Sequence, residues 1–134
     1  MTSIRKTIAI NAPADVVWAA VRDVGAVHER LAPGFVVAAH LEGDARVVTF
    51  ANGLIARERI VDIDDEQQRL AYASVGGRLT HHNASVQIFA EEGDRSRLVW
   101  ITDLLPDELA GSIREMVEQG AEVMKQTLES QSAR

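Results

Sequence analysis

The chain has 134 residues, 46% of them hydrophobic and 25% charged, which is the composition of one soluble globular domain with an enclosed core. A formal net charge of −6 without a basic cluster argues against nucleic acid as a partner, and the absence of cysteine excludes disulfides and thiolate metal sites. No secretory signal opens the sequence and no apolar run reaches the roughly 18 residues of a membrane helix, so we expect a cytoplasmic protein without membrane insertion.

The first predicted elements are a strand and two short helices. The pattern of residues 4–10 predicts a strand. Apolar residues then recur at three- and four-residue spacing over 13–24, which indicates an amphipathic helix with one face on a sheet. Trp18 lies beside this apolar stripe, so we expect it in the core. A second helical turn over 26–32 ends before a Pro-Gly pair that returns the chain to extended structure.

Residues 35–105 consist of short apolar segments separated by turn signals, a pattern typical of an antiparallel strand meander. Asn52-Gly53 predicts a tight hairpin turn with these two residues at its centre, because both central positions of such a turn favour positive φ. Glu92-Gly93-Asp94 gives a similar signal before the last strand. Together with residues 4–10, the meander predicts a sheet of about seven strands.

After Pro106 the chain carries the pattern of one long amphipathic helix, for which Asp107 is the expected N-terminal cap. Its apolar stripe comprises Leu109, Ile113, Met116, Val117, Gly120, Val123, Met124 and Leu128. The order of elements predicts an α+β fold in which a curved antiparallel sheet wraps around this helix. No repeat or interdomain linker interrupts the sequence, so residues 1–134 are expected to form a single domain.

Four segments resemble the START-like helix-grip (SRPBCC) superfamily, and within it the polyketide cyclase/dehydrase and lipid-transport branch. They are IAINAPADVVWAAVRD (8–23), RERIVDIDDEQQRLAY (57–72), the Trp100 strand leading into Pro106, and GAEVMKQTLE (120–129). The resemblance covers nearly the whole chain and implies a cavity between the sheet and the long helix. Relatives of this fold bind lipids, sterols, hormones or polyketides, and only some are enzymes.

Glu58 is the first candidate for that cavity. Side chains two apart on a strand share a face, so Leu54, Ala56, Glu58 and Ile60 lie together on a face that is apolar except for the carboxylate. Such a carboxylate can donate or accept a proton, or anchor the polar group of a ligand. The resemblance adds weight, because some hormone-binding relatives carry a cavity-facing glutamate in a matching Glu-Arg segment. A structural Glu paired with a nearby Arg is the equally weighted alternative.

His81 and His82 are neighbours on a predicted strand and therefore face opposite sides of the sheet. Apolar content favours the register that places His82 inward with Ala84, Val86 and Ile88. The resemblance implies the other register, in which Ser85 and His81 face the cavity. A β-bulge would reconcile the two, and we expect His82 to face in.

Four further residues are candidates for ligand contact. Trp100 shares a strand face with Leu98 and Thr102 and would form a broad apolar wall if that face is inward. Ile113, Met116 and Gly120 form the helix line expected to face the sheet. Glycine inside a helix costs about 1 kcal/mol relative to alanine, so Gly120 indicates either space for a ligand or close packing against a strand.

The sequence offers no spacing typical of a metal site or a bound cofactor, since its four histidines lie on separate elements or opposite strand faces. We therefore expect neither a metal nor a cofactor. The predicted function is binding of a small hydrophobic molecule with a polar group, held by Glu58 and one histidine. Two alternatives stay open: a polyketide cyclase or dehydratase that uses Glu58 and His82 as acid and base, and a protein-interaction module. A homodimer also stays open.

Overall fold

The structure of the protein, a computed structural model, describes residues 1–132. The helical segments that follow the first strand are α1 (Ala14–Arg22), a 3-10 turn (Val24–Ala26) and a five-residue π-helical turn (Val27–Leu31). A further 3-10 turn (Asp107–Leu109) leads into the long helix α2 (Ala110–Ser132). The strands are β1 (Thr2–Ile10), β2 (Val36–Glu42), β3 (Ala45–Phe50), β4 (Ile55–Asp64), β5 (Arg69–Val75), β6 (His81–Glu91) and β7 (Arg95–Leu105).

The seven strands form one sheet in the order β1-β7-β6-β5-β4-β3-β2, and every neighbouring pair is antiparallel. This confirms the predicted meander and the helix-grip fold. β2 to β7 follow one another along the chain, and β1 pairs beside β7. α2 runs along β1, where Lys6 bonds Glu118 at 2.8 Å and the Asn11 amide donates to Glu129. The helix therefore covers one end of the sheet and faces its concave side.

Trp18 is buried on the inner face of α1, as the apolar stripe predicted. Its indole N–H donates to Asp65 at 2.9 Å, in the turn between β4 and β5. Arg22, one helical turn later, donates to the same carboxylate at 2.7 Å. Because Asp65 accepts both bonds, the pKa of this carboxyl lies below its ordinary value. The same bonds attach α1 to the turn between β4 and β5.

The hairpin between β3 and β4 differs from the predicted two-residue turn. Gly53 has positive φ, but Asn52 does not, and its side chain accepts a hydrogen bond from the Leu54 amide instead. The Phe50 amide bonds the Leu54 carbonyl, so the loop holds three residues. A two-residue loop would place Val47 opposite Glu58, whereas the observed loop places Arg46 there.

Asp107 does not cap the long helix, contrary to the prediction. Its carboxylate accepts a hydrogen bond from the Thr2 hydroxyl at 2.7 Å and lies 3.5 Å from the terminal amine. Both partners favour the ionised form and lower the pKa of the carboxyl. The segment Asp107–Leu109 forms a 3-10 turn after Pro106, and α2 begins only at Ala110. Asp107 thus attaches the start of the helical segment to β1.

Candidate ligand-binding site

A cavity of about 340 Å³ lies between the concave face of the sheet and the first half of α2. This volume is at the small end of the roughly 300–1,000 Å³ typical of small-molecule sites. Most of its wall is apolar. The sheet side includes Phe35, Phe50, Ala56, Tyr72 and Trp100, and the helical side includes Leu109, Ile113, Met116 and Val117.

The mouth of the cavity is formed by two loops and the first turns of α2. Leu54 and Ile55 lie where β4 begins, and Val75 to Leu79 lie at the end of β5 and in the loop that follows it. Leu54, Ile55 and Val75 are all exposed large apolar side chains. An apolar molecule can therefore reach the interior along a hydrophobic entrance.

Polar side chains cross the cavity wall in one row over four adjacent strands. Arg46 of β3 pairs in register with Glu58 of β4, and Glu58 pairs with Ser74 of β5. The Ser74 amide in turn donates to the ring of His82 on β6 at 2.9 Å. Glu58, Ser74 and His82 all line the cavity. We call these four residues the polar row.

Arg46 and Glu58 form a buried ion pair at the β3 end of the polar row. Arg46 Nε donates to Glu58 Oε1 at 2.7 Å, and the two residues are 5% and 8% exposed. The guanidinium also lies 5.1 Å from the centre of the Tyr72 ring and donates to the Val24 carbonyl at 3.4 Å. These contacts fix the carboxylate in the apolar wall.

Tyr72 and Trp100 make a second polar contact beside the row. The Trp100 indole N–H donates to the Tyr72 hydroxyl oxygen at 3.0 Å. Burial, together with the nearby Glu58 carboxylate, raises the pKa of Tyr72 far above its ordinary value. The hydroxyl therefore keeps its proton and remains a donor, while its oxygen is already engaged by the indole.

His82 occupies a point at which the backbone ladder opens. The pairing of β5 with β6 ends at Tyr72 opposite Ala84, although β5 continues to Val75. The Ser74 amide therefore bonds His82 Nδ1 in place of a strand carbonyl. Because Nδ1 accepts, the proton of the neutral ring is on Nε2. Burial lowers the pKa of His82, so at neutral pH the row ends in a neutral N–H donor.

A sequence model described as "Polyketide cyclase / dehydrase and lipid transport" matches residues 1–131. The chain belongs to this family. No curated protein sequence matches it.

Solved structures share the fold of this polyketide cyclase/dehydrase and lipid-transport family member at low sequence identity. XoxI from Bacillus cereus is 16% identical over 98% of this chain and 99% of its own, with a TM-score of 0.86. A protein from Thermobifida fusca is 24% identical over 97% and 91%, with a TM-score of 0.77. Norcoclaurine synthase from Thalictrum flavum, a point mutant in complex with a transition-state analogue, is 15% identical over 97% and 95%, with a TM-score of 0.73.

Five of the candidate residues from the sequence lie together in the cavity wall of this family member. They are Glu58, His82, Trp100, Ile113 and Met116. Glu58 and His82 come from the sheet, where strand alternation directs both side chains to the concave face. Ile113 and Met116 come from one side of α2. Glu58 also forms an ion pair with Arg46. Such a pair is what the sequence analysis expected if this glutamate has a structural role.

The expected ligand contacts of His81 and Ser85 are corrected, because the register of β6 places both residues on the face of the sheet away from the cavity. His81 is exposed and bonds Asn83, whose amide donates to Asp103 on the outer surface. Ser85 has the same parity as His81 and does not line the cavity. The pairing of β6 with β7 is continuous from His81 to Glu91, so no bulge reverses the alternation.

The expected ligand contact of Gly120 is also corrected, since this residue does not line the cavity. A Cβ at this position would lie 3.0 Å from Phe35 Cε2 and 3.4 Å from Trp100 Cη2. The missing side chain therefore allows α2 to pack closely on two rings that do form the wall. Close packing against the sheet explains this glycine.

Arg46, Tyr72 and Ser74 were missed by the sequence analysis. Alternation with Val48 and Phe50 would have directed Arg46 inward, but the assumed two-residue turn placed it out of register with Glu58.

Within residues 1–132, no group of three or more metal-ligating side chains converges, and no helix is both long and apolar enough to span a bilayer.

We predict that His82 is neutral, with its proton on Nε2, at neutral pH. Nitrogen-15 NMR of the imidazole should show an unprotonated Nδ1 and a protonated Nε2. The pKa of His82 in the folded chain lies below its unfolded value of 6.5. At a pH between these two pKa values, the unfolded chain therefore binds more protons than the folded chain. Stability should therefore fall as pH decreases through this range, and the fall should be smaller in His82→Gln than in His81→Gln. A protonated Nδ1 would contradict the assignment.

Proposed function

We propose that the protein binds a small hydrophobic molecule that carries a hydroxyl-type polar group. The observation that supports this most directly is the open, mostly apolar cavity with the polar row along one wall. Apolar surface transferred from water to the walls supplies the favourable free energy, at about 25 cal/mol per Å². Phe35, Phe50 and Trp100 provide broad ring surfaces for the apolar part of the ligand.

The polar row determines which polar group the ligand carries. Glu58 accepts hydrogen bonds only, and Arg46 occupies its Oε1, so Oε2 is available to a donor. His82 presents Nε2–H, which requires an acceptor. A hydroxyl or enol satisfies both residues, whereas a ketone satisfies only His82. Leaving a buried polar group without a partner costs about 1–3 kcal/mol, so the cavity should discriminate between these two groups.

An acid–base enzyme is the second candidate, since the same two residues face the cavity and norcoclaurine synthase shares the fold. Its geometry is less favourable. Glu58 is engaged by Arg46, His82 Nδ1 is engaged by Ser74, and no hydrogen bond within residues 1–132 joins Glu58 to His82. The third candidate, a protein-interaction module, calls for a filled interior, and the open cavity argues against it.

The test compares 2-nonanol with 2-nonanone as competitors of the neutral fluorophore N-phenyl-1-naphthylamine. We expect the alcohol to bind more tightly, and Glu58→Gln to weaken the alcohol about fivefold while leaving the ketone nearly unchanged. The reason is that the single oxygen of the glutamine stays with Arg46 and its amide NH2 takes the place of Oε2, so the ligand hydroxyl loses a charged acceptor at a cost of about 1 kcal/mol. Glutamine still offers Arg46 an oxygen, so the fold should persist.

Glu122→Gln is the matched control, because Glu122 lies on the exposed side of α2 and the substitution changes net charge equally. Equal loss of alcohol binding in both variants would remove Glu58 from the site. Failure of the fluorophore and of both competitors to bind would contradict the proposed function itself.

A further inference from the structure

We infer that the natural ligand is an anionic amphiphile whose acidic group stays at the cavity mouth beside Arg78. This rests on the proposed function, because it assumes that the apolar part of the ligand occupies the cavity. It adds a charge to the ligand and names the residue that recognises it.

The charges that line the cavity carry the inference. Among residues 1–132, the charged residues that line it are Arg57, Glu58 and Arg78. The Arg57 side chain lies on the outer face of β4, because strand alternation directs it opposite to the inward Glu58. The Glu58 charge is neutralised by Arg46, and His82 is neutral at pH 7 because burial lowers its pKa. The lining is therefore locally cationic in a chain with a net charge of −6. An anion approaching most of this surface is repelled, so local cations are needed to admit it.

One of these two arginines has a side chain available at the mouth. Arg57 of β4 pairs in register with Val75, the last residue of β5, and Arg78 lies three residues further along the loop. Arg57 already bonds Glu42 at 3.0 Å. Arg78 is exposed, and none of the ion pairs within the described range involves it. Arg78 is therefore the guanidinium available to an acidic group.

The interior end of the cavity cannot take the acidic group. A second carboxylate placed against Glu58 would meet a like charge in an apolar wall, where the repulsion is screened less than in water. At the mouth the same group keeps its hydration and gains the arginine fork, which suits carboxylate, sulfate and phosphate. The ligand is thus orientated with its hydroxyl at the polar row and its acid outward.

The experiment measures the affinities of nonanoate and 1-nonanol by fluorophore displacement near neutral pH. We expect Arg78→Gln to weaken nonanoate about two- to fivefold, as for an exposed ion pair, and to leave 1-nonanol unchanged. High salt should weaken nonanoate selectively, because it screens exposed charges. Arg95→Gln, at the start of β7, removes the same charge away from the mouth and is the control.

Each outcome has a distinct meaning. Selective loss of nonanoate in Arg78→Gln, absent from Arg95→Gln, supports the inference. The inference is overturned if Arg78→Gln weakens nonanoate and 1-nonanol equally. It is also overturned if Arg78→Gln and Arg95→Gln weaken nonanoate equally. In both cases the hydrophobic cavity keeps its proposed role. Absence of binding by either compound overturns the proposed function together with the inference.

Discussion

Replacing Arg46 by methionine should destabilise the fold by about 3–5 kcal/mol, the usual cost of removing one partner from a buried ion pair. The variant leaves the Glu58 carboxylate 8% exposed in an apolar wall without its guanidinium. It also removes the cation that lies over the Tyr72 ring and the donor to the Val24 carbonyl. Urea unfolding at neutral pH measures the loss directly, as a shift of the midpoint at an unchanged slope.

A double variant, Arg46→Met with Glu58→Leu, separates the ion pair from simple packing. Replacing both charges by apolar groups of similar size is often neutral or stabilising, so the double variant should regain most of the stability lost in Arg46→Met. It should nevertheless bind 2-nonanol less well than the native chain. A single variant as stable as the native protein would contradict the buried pair.

The second large effect is expected from Met116→Trp, which places a bulky ring in the cavity from α2. Met116 is half-buried and lines the cavity, so the added atoms extend into open space rather than into packed core. We expect the affinity for N-phenyl-1-naphthylamine to fall at least tenfold, which corresponds to about 1.4 kcal/mol of lost binding free energy. Stability should change little, since the ring fills volume that the native chain leaves open.

Gln119→Trp is the control for this substitution, because Gln119 lies on the exposed side of the same helix. It adds the same ring to α2 without entering the cavity. Binding by Met116→Trp at native affinity, with the folded state intact, would place the ligand elsewhere. Equal losses in both variants would indicate a general disturbance of α2.

Local sequence pattern was sufficient to predict the helices and strands and most of the side chains that face the concave side of the sheet. Alternation directs Glu58 to the concave face, because the other face of its strand carries two arginines. For Trp100 the inward face stayed conditional, since Val99 and Ile101 make the other face of its strand apolar as well. The apolar residues that share a face with His82 gave the register of β6, whereas the resemblance favoured Ser85. The structure follows the apolar pattern, since a continuous ladder with β7 leaves no room for a slip.

The polar row could not be predicted because it depends on register and on a gap in the sheet. Arg46 meets Glu58 only because the hairpin loop has three residues, and Asn-Gly is more typical of a two-residue loop. The Ser74 amide is available to His82 only because the β5–β6 ladder ends two residues earlier. Neither feature has a signal in the sequence of one strand. Gly120 was ambiguous for a similar reason, since its neighbours come from distant segments.

The Arg46–Glu58 pair is weak evidence for stability, because apolar residues could fill the same volume at equal or lower free energy. Its position in the wall of an open cavity fits a role in ligand orientation, which is the central claim. Native mass spectrometry of the protein purified from its own host, followed by extraction and identification of the bound molecule, tests that claim most directly. The native chain should retain an acidic hydrophobic compound with a hydroxyl or enol, and Met116→Trp should lack it. Identical occupancy of both proteins, or a retained compound without an apolar part, would contradict the account.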